Sequence, residues 1–231
     1  MRRYMSEMIG TFVFVLFGCG SIVLQGGNLV NLGNLGIAIA FGFSFIAMAY
    51  AIGNISGCHI NPAVSLAMYM TRNLSLRDFF IYSICQFIGG ILGTGVLISI
   101  INLSINIGTA AEIGLGQNGY GTASMVGLGL LGALIVEFIF TFVYVIALLG
   151  VLSYDRTNHL GGIILGLTLV AIYILAIPLT GGSINPARSL APAVYLGGTA
   201  LRQVWVFIIA PFAGAAGAAV FWNFMTKELT I

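Results

Sequence analysis

Six long apolar runs constrain this sequence more than any other feature. They cover residues 5–25, 35–55, 79–103, 125–152, 160–179 and 204–225. Each run matches the ~20 residues that an α-helix needs to cross the ~30 Å hydrocarbon core of a bilayer. The only charged residues within them are Glu7 and Glu137. Because the runs are continuous and lack the alternation of ~10-residue barrel strands, the sequence predicts an all-α membrane protein with six spans.

The composition excludes the main soluble classes. Charged residues make up 6% of the chain, whereas a soluble domain carries about 25%. A net charge of +2 is too small and too dispersed for a nucleic-acid-binding protein. The three cysteines, Cys19, Cys58 and Cys85, do not have the spacing of a metal site. Since the sequence contains no nucleophile–base set and no phosphate loop, we expect neither an enzyme nor a cofactor or metal ion.

The basic residues predict the orientation in the membrane. With a cytoplasmic N-terminus, six of the eight basic residues lie inside: Arg2, Arg3, Arg72, Arg77, Arg156 and Lys227. Arg188 and Arg202 lie outside, so the positive-inside rule is satisfied. The first apolar run is too long for a signal-peptide core and lacks a small-residue cleavage site. We therefore expect a multi-pass protein of the cell membrane with both termini cytoplasmic.

The two halves of the chain repeat each other. Residues 60–67 and 184–191 differ at one position in eight, and Glu7 and Glu137 both precede a Thr-Phe-Val sequence at the same spacing. Because each half holds three spans, an odd number, the second half enters the membrane from the opposite side. The sequence thus predicts one transmembrane channel domain, residues 1–231, with inverted repeats at about 1–110 and 125–231. Residues 103–123 form the extracellular connector.

Each half also contains a segment that is too short to span the membrane. Asn61-Pro62 and Asn185-Pro186 place a favoured N-cap residue before a favoured first helical residue. A helix over residues 63–70 rises only ~12 Å, so two such half-helices from opposite faces meet near the midplane. Non-helical backbone at that depth must be buried in protein or line a cavity. The expected pore-lining loop residues are Gly57, Cys58, His59, Gly181 and Ser183.

These motifs resemble those of a known family. The boxes Asn61-Pro62-Ala63 and Asn185-Pro186-Ala187, the second followed by Arg188, are similar to the signature of the aquaporin and glycerol-facilitator (major intrinsic protein) family. Within this family, the sequence most resembles the prokaryotic water-channel type. The resemblance implies a right-handed bundle of six transmembrane helices plus two re-entrant half-helices. It also implies a homotetramer with one pore per protomer, embedded in lipid, through which water or small neutral solutes pass.

The resemblance further implies a selectivity filter formed by Phe41, Tyr173, Gly182 and Arg188. Tyr173 stands where water channels usually have His, and Gly182 where many have Thr or Cys. Phe41 follows the water-channel pattern, since glycerol facilitators usually have Trp there. We therefore favour a water channel. A facilitator of glycerol, lactic acid or another small uncharged solute remains the alternative.

The buried carboxylates Glu7 and Glu137 allow two interpretations. In a secondary active transporter with broken helices they would bind the coupling ion. Their symmetric placement instead favours a structural role, in which they accept hydrogen bonds from the loop backbone. His59 is either a satisfied buried residue or a pore group. The two half-helix N-termini each carry about half a positive charge, which excludes cations and, with the Asn amides, interrupts proton relay.

Overall fold

The computed structural model describes residues 1–27, 30–106, 108–153 and 159–226, which form helices and loops. The long helices are α1 (Arg2–Gly26), α2 (Gly33–Ser56), α4 (Leu76–Asn102), α6 (Leu130–Leu152), α7 (Gly161–Thr180) and α10 (Val206–Thr226). The short helices are α3 (Pro62–Met70), α5 (Ala110–Ile113), α8 (Pro186–Leu196) and α9 (Gly198–Gln203). Six spans are long and apolar enough to cross a membrane, the last running through α9 and α10. The predicted fold class is confirmed.

The helices pack as two related sets of three spans. In the first half α1 packs against α2 and α4, and in the second half α6 packs against α7 and α10. The halves meet where α2 contacts α7. Each half-helix also contacts the last span of the other half, α3 against α10 and α8 against α4. The two repeats therefore form one interlocked bundle.

The fourth span begins at Leu130, five residues later than the apolar run suggested. The side-chain oxygen of Ser124 accepts a hydrogen bond from the Leu128 N–H at 3.0 Å and donates to the Leu179 carbonyl at 2.7 Å. Gly127 has φ +70°, in the left-handed region that favours glycine. These interactions fold residues 124–129 into a turn, so apolar character alone misplaces the helix start.

Both half-helices begin at the predicted Asn-Pro steps. The side-chain oxygen of Asn61 accepts from the Ala63 N–H at 2.9 Å, and that of Asn185 accepts from the Ala187 N–H at 3.0 Å. Each cap pairs a backbone donor that the first helical turn leaves unpaired. Because α3 and α8 contact each other, their capped N-termini meet inside the bundle.

Two glycines permit close contacts with the backbone of a neighbouring helix. A Cβ at Gly89 would collide with the carbonyl oxygen of Met8, and a Cβ at Gly214 would collide with that of Phe138. Met8 and Phe138 directly follow the buried carboxylates Glu7 and Glu137. The absence of a side chain therefore lets the last span of each half lie against the first span at the level of its carboxylate, as small residues do between membrane helices.

We predict that Gly214→Ala destabilises the protein because its methyl group forces α10 away from α6. Overpacking of this kind costs about 1–3 kcal/mol, which lowers the midpoint of thermal unfolding of the detergent-solubilised protein. Gly217→Ala is the matched control on the same helix, since a Cβ there meets the Phe138 ring at an ordinary 3.4 Å. Equal midpoints for the two variants would contradict this account of the packing.

Candidate functional site

The first re-entrant loop is fixed by the carboxylate of Glu7, which is fully buried. One oxygen accepts from the Ser56 hydroxyl at 2.7 Å and the His59 N–H at 3.0 Å. The other accepts from the Ile60 N–H at 2.6 Å and the Gln86 amide at 2.8 Å. A buried charge requires such donors, and two of the four are successive backbone amides of the loop.

The second loop repeats this arrangement around Glu137, which is also fully buried. One carboxylate oxygen accepts from the Thr180 hydroxyl at 2.6 Å and from the Ser183 N–H at 3.1 Å. The other accepts from the Ile184 N–H at 2.7 Å. Each carboxylate therefore accepts hydrogen bonds from backbone N–H groups of a non-helical loop within the membrane. Water is not available there to accept them.

The two Asn caps are joined to the opposite loops. The Asn61 amide nitrogen donates to the Ile184 carbonyl, and the Asn185 amide nitrogen donates to the Ile60 carbonyl, both at 2.8 Å. A primary amide has two N–H donors, and no described residue accepts the second N–H of either Asn. These remaining donors lie beside a cavity of about 10 Å³ that both Asn residues line, which is the room that one water needs.

The charges around this central cavity favour a neutral polar occupant. The N-termini of α3 and α8 meet here, and each carries about half a positive charge from aligned peptide dipoles. The other residues that line the cavity are mostly apolar or aromatic, with the imidazole of His59 among them: Phe14, Phe45, His59, Ile60, Tyr144, Leu169 and Ile184. A cation therefore meets a repulsive field, and no Asp or Glu among the lining residues compensates it, whereas a neutral hydrogen-bond acceptor finds two donors.

A wider cavity of about 490 Å³ lies beyond the first loop. The predicted loop residues Gly57, Cys58 and His59 line it. One ring nitrogen of His59 is 3.1 Å from the Ser65 hydroxyl, which holds the imidazole against the half-helix α3. The predicted first-loop residues therefore face a space large enough for several waters.

The four predicted filter residues lie together on the other side of the central cavity, and all are buried. The Phe41 and Tyr173 rings stack with centroids 4.2 Å apart and planes 6° from parallel. The Arg188 guanidinium carbon lies 5.3 Å from the Phe41 centroid. A Cβ built on Gly182 would lie 2.7 Å from the Tyr173 ring. The four residues thus form one tightly packed constriction.

Neutral oxygens hold the Arg188 guanidinium. One terminal nitrogen donates to the Gly116 carbonyl at 2.7 Å and the Asn118 side-chain oxygen at 2.8 Å, and the other donates to the Gly181 carbonyl at 3.0 Å. The Nε–H is buried and has no partner among the described residues. Since none of these acceptors is charged, the positive charge of Arg188 acts on whatever enters the constriction.

Asn118 is one of the site residues that the sequence does not predict, and it contacts Arg188 directly. Its side chain is 4% exposed; its oxygen accepts from Arg188 and from the Ser189 hydroxyl at 2.8 Å, and its nitrogen donates to the Thr180 carbonyl at 3.1 Å. Asn118 lies in the polar connector between the two halves. The composition of this segment predicts only an extracellular loop. The contact of Asn118 with Arg188 joins segments 70 positions apart, and no local pattern indicates it.

The fold and the site together define a transmembrane channel of six spans and two half-helices, in the described part of the chain. Residues 1–222 match the sequence profile of the family described as "Major intrinsic protein". The chain belongs to this family of membrane channels, and it is a multi-pass channel protein, not an enzyme.

Individual relatives match over nearly the whole chain. Aquaporin Z from Rhodopseudomonas palustris is 36% identical over 230 residues, covering 99% of this chain and 95% of the relative. Glycerol uptake facilitator protein-like 6 from Lactiplantibacillus plantarum is 39% identical over 229 residues, covering 99% and 100%. The crystal structure of an aquaglyceroporin from Plasmodium falciparum superimposes with a TM-score of 0.86 at 21% identity, over 99% of this chain and 97% of that chain. The likeness to this crystal structure shows that the two proteins share the same fold.

We predict that Asn118→Ala lowers the osmotic permeability of proteoliposomes about threefold or more. The variant loses the hydrogen bond from the charged guanidinium, about 1.5–3 kcal/mol, together with the bonds to Ser189 and Thr180, which leaves Arg188 free to tilt into the constriction. Stopped-flow light scattering measures the effect. Ile105→Ala is the control, because this connector residue is 97% exposed. A permeability equal to that of the control would show that Asn118 does not position Arg188.

Proposed function

We propose that this protein is a passive, single-file channel for water. The observation that carries the proposal is the one-water cavity between the amides of Asn61 and Asn185. A water that accepts from both remaining N–H groups points its own hydrogens away from the centre, toward both mouths. Such a water has no lone pair free to receive a proton from the next molecule in the file. Water then passes while protons do not.

In this proposal Phe41, Tyr173, Gly182 and Arg188 form the selectivity filter. The unpaired Arg188 Nε–H is available as a donor to a permeating oxygen, and the guanidinium charge repels cations. The ring of Tyr173 fills the space beside Gly182, so the missing side chain does not widen the constriction. This packing supports water over glycerol as the principal solute.

A facilitator of small uncharged solutes is the second candidate. The relative from Lactiplantibacillus plantarum carries the name of a glycerol uptake facilitator-like protein, and Gly182 has no side chain to restrict the filter. Glycerol and undissociated lactic acid are the solutes to test. This candidate requires the Tyr173 ring to leave its stacked position against Phe41.

The carboxylates support a passive mechanism over ion-coupled transport. Glu7 accepts four hydrogen bonds and Glu137 accepts three, all from the protein itself. An ion-binding carboxylate needs oxygen lone pairs that face a pathway. Since these oxygens are used to hold the loops, we assign both residues a structural role.

We further propose the setting in which the channel works. The distribution of basic residues along the sequence favours cytoplasmic termini and an outward-facing connector, in the cell membrane. The whole chain acts as one channel domain, with its repeats at about 1–110 and 125–231. Exposed apolar side chains such as Phe17, Phe43 and Phe224 suit contact with lipid or with other copies in a homotetramer.

Stopped-flow light scattering on proteoliposomes tests the proposal. An impermeant osmolyte should shrink the vesicles at least tenfold faster than empty liposomes, and a glycerol gradient should give no fast re-swelling. Fast re-swelling with glycerol or lactic acid would support the facilitator instead. Shrinkage no faster than that of empty liposomes would contradict a constitutively open water pore.

A further inference from the structure

A groove lies at the end of the half-helix α3 that is opposite to Asn61. Helix α3 ends at Met70 and α4 begins at Leu76. Between them is an open groove of about 360 Å³, and six residues line it: Tyr69, Arg72, Asn73, Leu74, Ser75 and Leu76. None of these six residues lines either of the two pore cavities described above. This α3–α4 groove is therefore a surface feature separate from the pore.

The backbone at Arg72 adopts a conformation that favours glycine. Its φ is +63°. The Arg72 N–H donates to the Tyr69 carbonyl at 3.0 Å, and the Asn73 N–H donates to the Met68 carbonyl at 2.8 Å. A helix that ends in such a turn usually has Gly or Asn at the left-handed position. An arginine held in this strained conformation indicates a role for its side chain.

The positive charges beside the groove exceed the negative ones. The side chains of Arg72 and Arg77 are exposed. The carboxylate of Asp78 already accepts from Arg3 at 2.8 Å, from the Tyr4 hydroxyl at 2.7 Å and from the Ser75 hydroxyl at 2.7 Å. Within residues 1–27, 30–106, 108–153 and 159–226, the only ion pair is that between Arg3 and Asp78. Arg72 and Arg77 therefore have no carboxylate partner in this part of the chain, and the groove favours an anion.

An exposed apolar face of α4 begins at the groove. Leu76 lines the groove and is followed at intervals of four residues by Phe80, Ile84, Ile88 and Leu92, which are all exposed. Residues four apart lie on the same face of a helix. Because α4 is one of the six spans, this face leads from the groove into the hydrocarbon core. A small anion would contact only the charged groove, whereas a phospholipid would contact both surfaces.

We propose that the α3–α4 groove binds an anionic phospholipid. Arg72 and Arg77 donate to its phosphate, and an acyl chain lies along Leu76 and Phe80. The lipid must carry a net negative charge, since a zwitterionic headgroup does not neutralise the excess of positive charge. The bound lipid ties the end of α3, the half-helix that begins at Asn61, to the membrane surface. The binding site does not depend on which solute the channel passes.

The first test measures the stability of the detergent-solubilised protein with added lipid. Dioleoylphosphatidylglycerol should raise the midpoint of thermal unfolding by about 3 °C or more, because a ligand that binds the native state stabilises it. Dioleoylphosphatidylcholine should raise the midpoint much less. Glycerol 1-phosphate, which has the phosphate but no acyl chain, should have no effect at the same concentration. Equal shifts with the two lipids, or an equal shift with glycerol 1-phosphate, would overturn the proposal.

The variant Arg72→Gly separates lipid binding from folding. Glycine relieves the left-handed strain, so the unfolding midpoint without lipid should equal or exceed that of the wild type. The affinity for dioleoylphosphatidylglycerol, measured by titration in native mass spectrometry, should fall about fivefold, the effect of one arginine near a membrane surface. Arg202→Gln is the matched control, because it removes an exposed cation that bonds to Thr199 in α9. Equal losses of affinity in the two variants would show that only the total charge matters and would overturn the site.

The second test locates the acyl chain. Phe80→Trp places a fluorophore on the exposed face of α4, where the Phe80 side chain is 56% exposed. In vesicles, and after subtraction of the wild-type signal of Trp205 and Trp222, brominated phosphatidylglycerol should quench this fluorophore more strongly than brominated phosphatidylcholine. Adding Arg72→Gly should remove the difference. Equal quenching by the two lipids would contradict the proposal. Quenching by neither lipid would also overturn it, since another copy of the chain would then cover this face.

Discussion

The hydrogen bonds from successive loop amides to a buried carboxylate are the interaction on which the pore depends. Each loop lies within the hydrophobic core of the membrane and lacks helical hydrogen bonds. An unpaired N–H in that environment costs several kcal/mol. Ile60 and Ile184 also adopt positive φ, +43° and +48°, a conformation that costs about 1–3 kcal/mol for a branched residue. Bonds to a charged acceptor contribute about 1.5–3 kcal/mol each, which is enough to hold the loops in this strained shape.

Once the loops are fixed, they determine the positions of the two Asn side chains at the centre of the pore. The strained turn at each Ile directs its carbonyl toward the opposite half, where the Asn61 or Asn185 amide donates to it. This crossing bond uses one N–H of each amide and orients the other toward the central cavity. The packing of α3 on α10 and of α8 on α4 then ties each half-helix to the other repeat. Structural and pore-facing roles are thus combined in the same two Asn side chains.

The sequence predicts best what local patterns encode. Apolar length indicates the six spans, and the Asn-Pro steps indicate where α3 and α8 begin, because N-caps and first-turn prolines act within a few residues. The start of α6 and the role of Asn118 depend on contacts with Leu179 and Arg188, more than 50 positions away. The closeness of Tyr173 to Gly182 is likewise set by how α7 leads into its loop. Such features require the folded chain.

The connectivity of the two sequence-related halves also explains why, among the described residues, the buried cation Arg188 at one end of the pore has no counterpart at the other end. Arg188 corresponds to Val64, which is fully buried and apolar. A guanidinium taken out of water needs acceptors for its donors, and the connector supplies two of the three here, from Gly116 and Asn118. A segment that joins two halves exists once and lies on one face. Chain connectivity therefore breaks the symmetry of the repeat and allows the charged filter to form at the connector end.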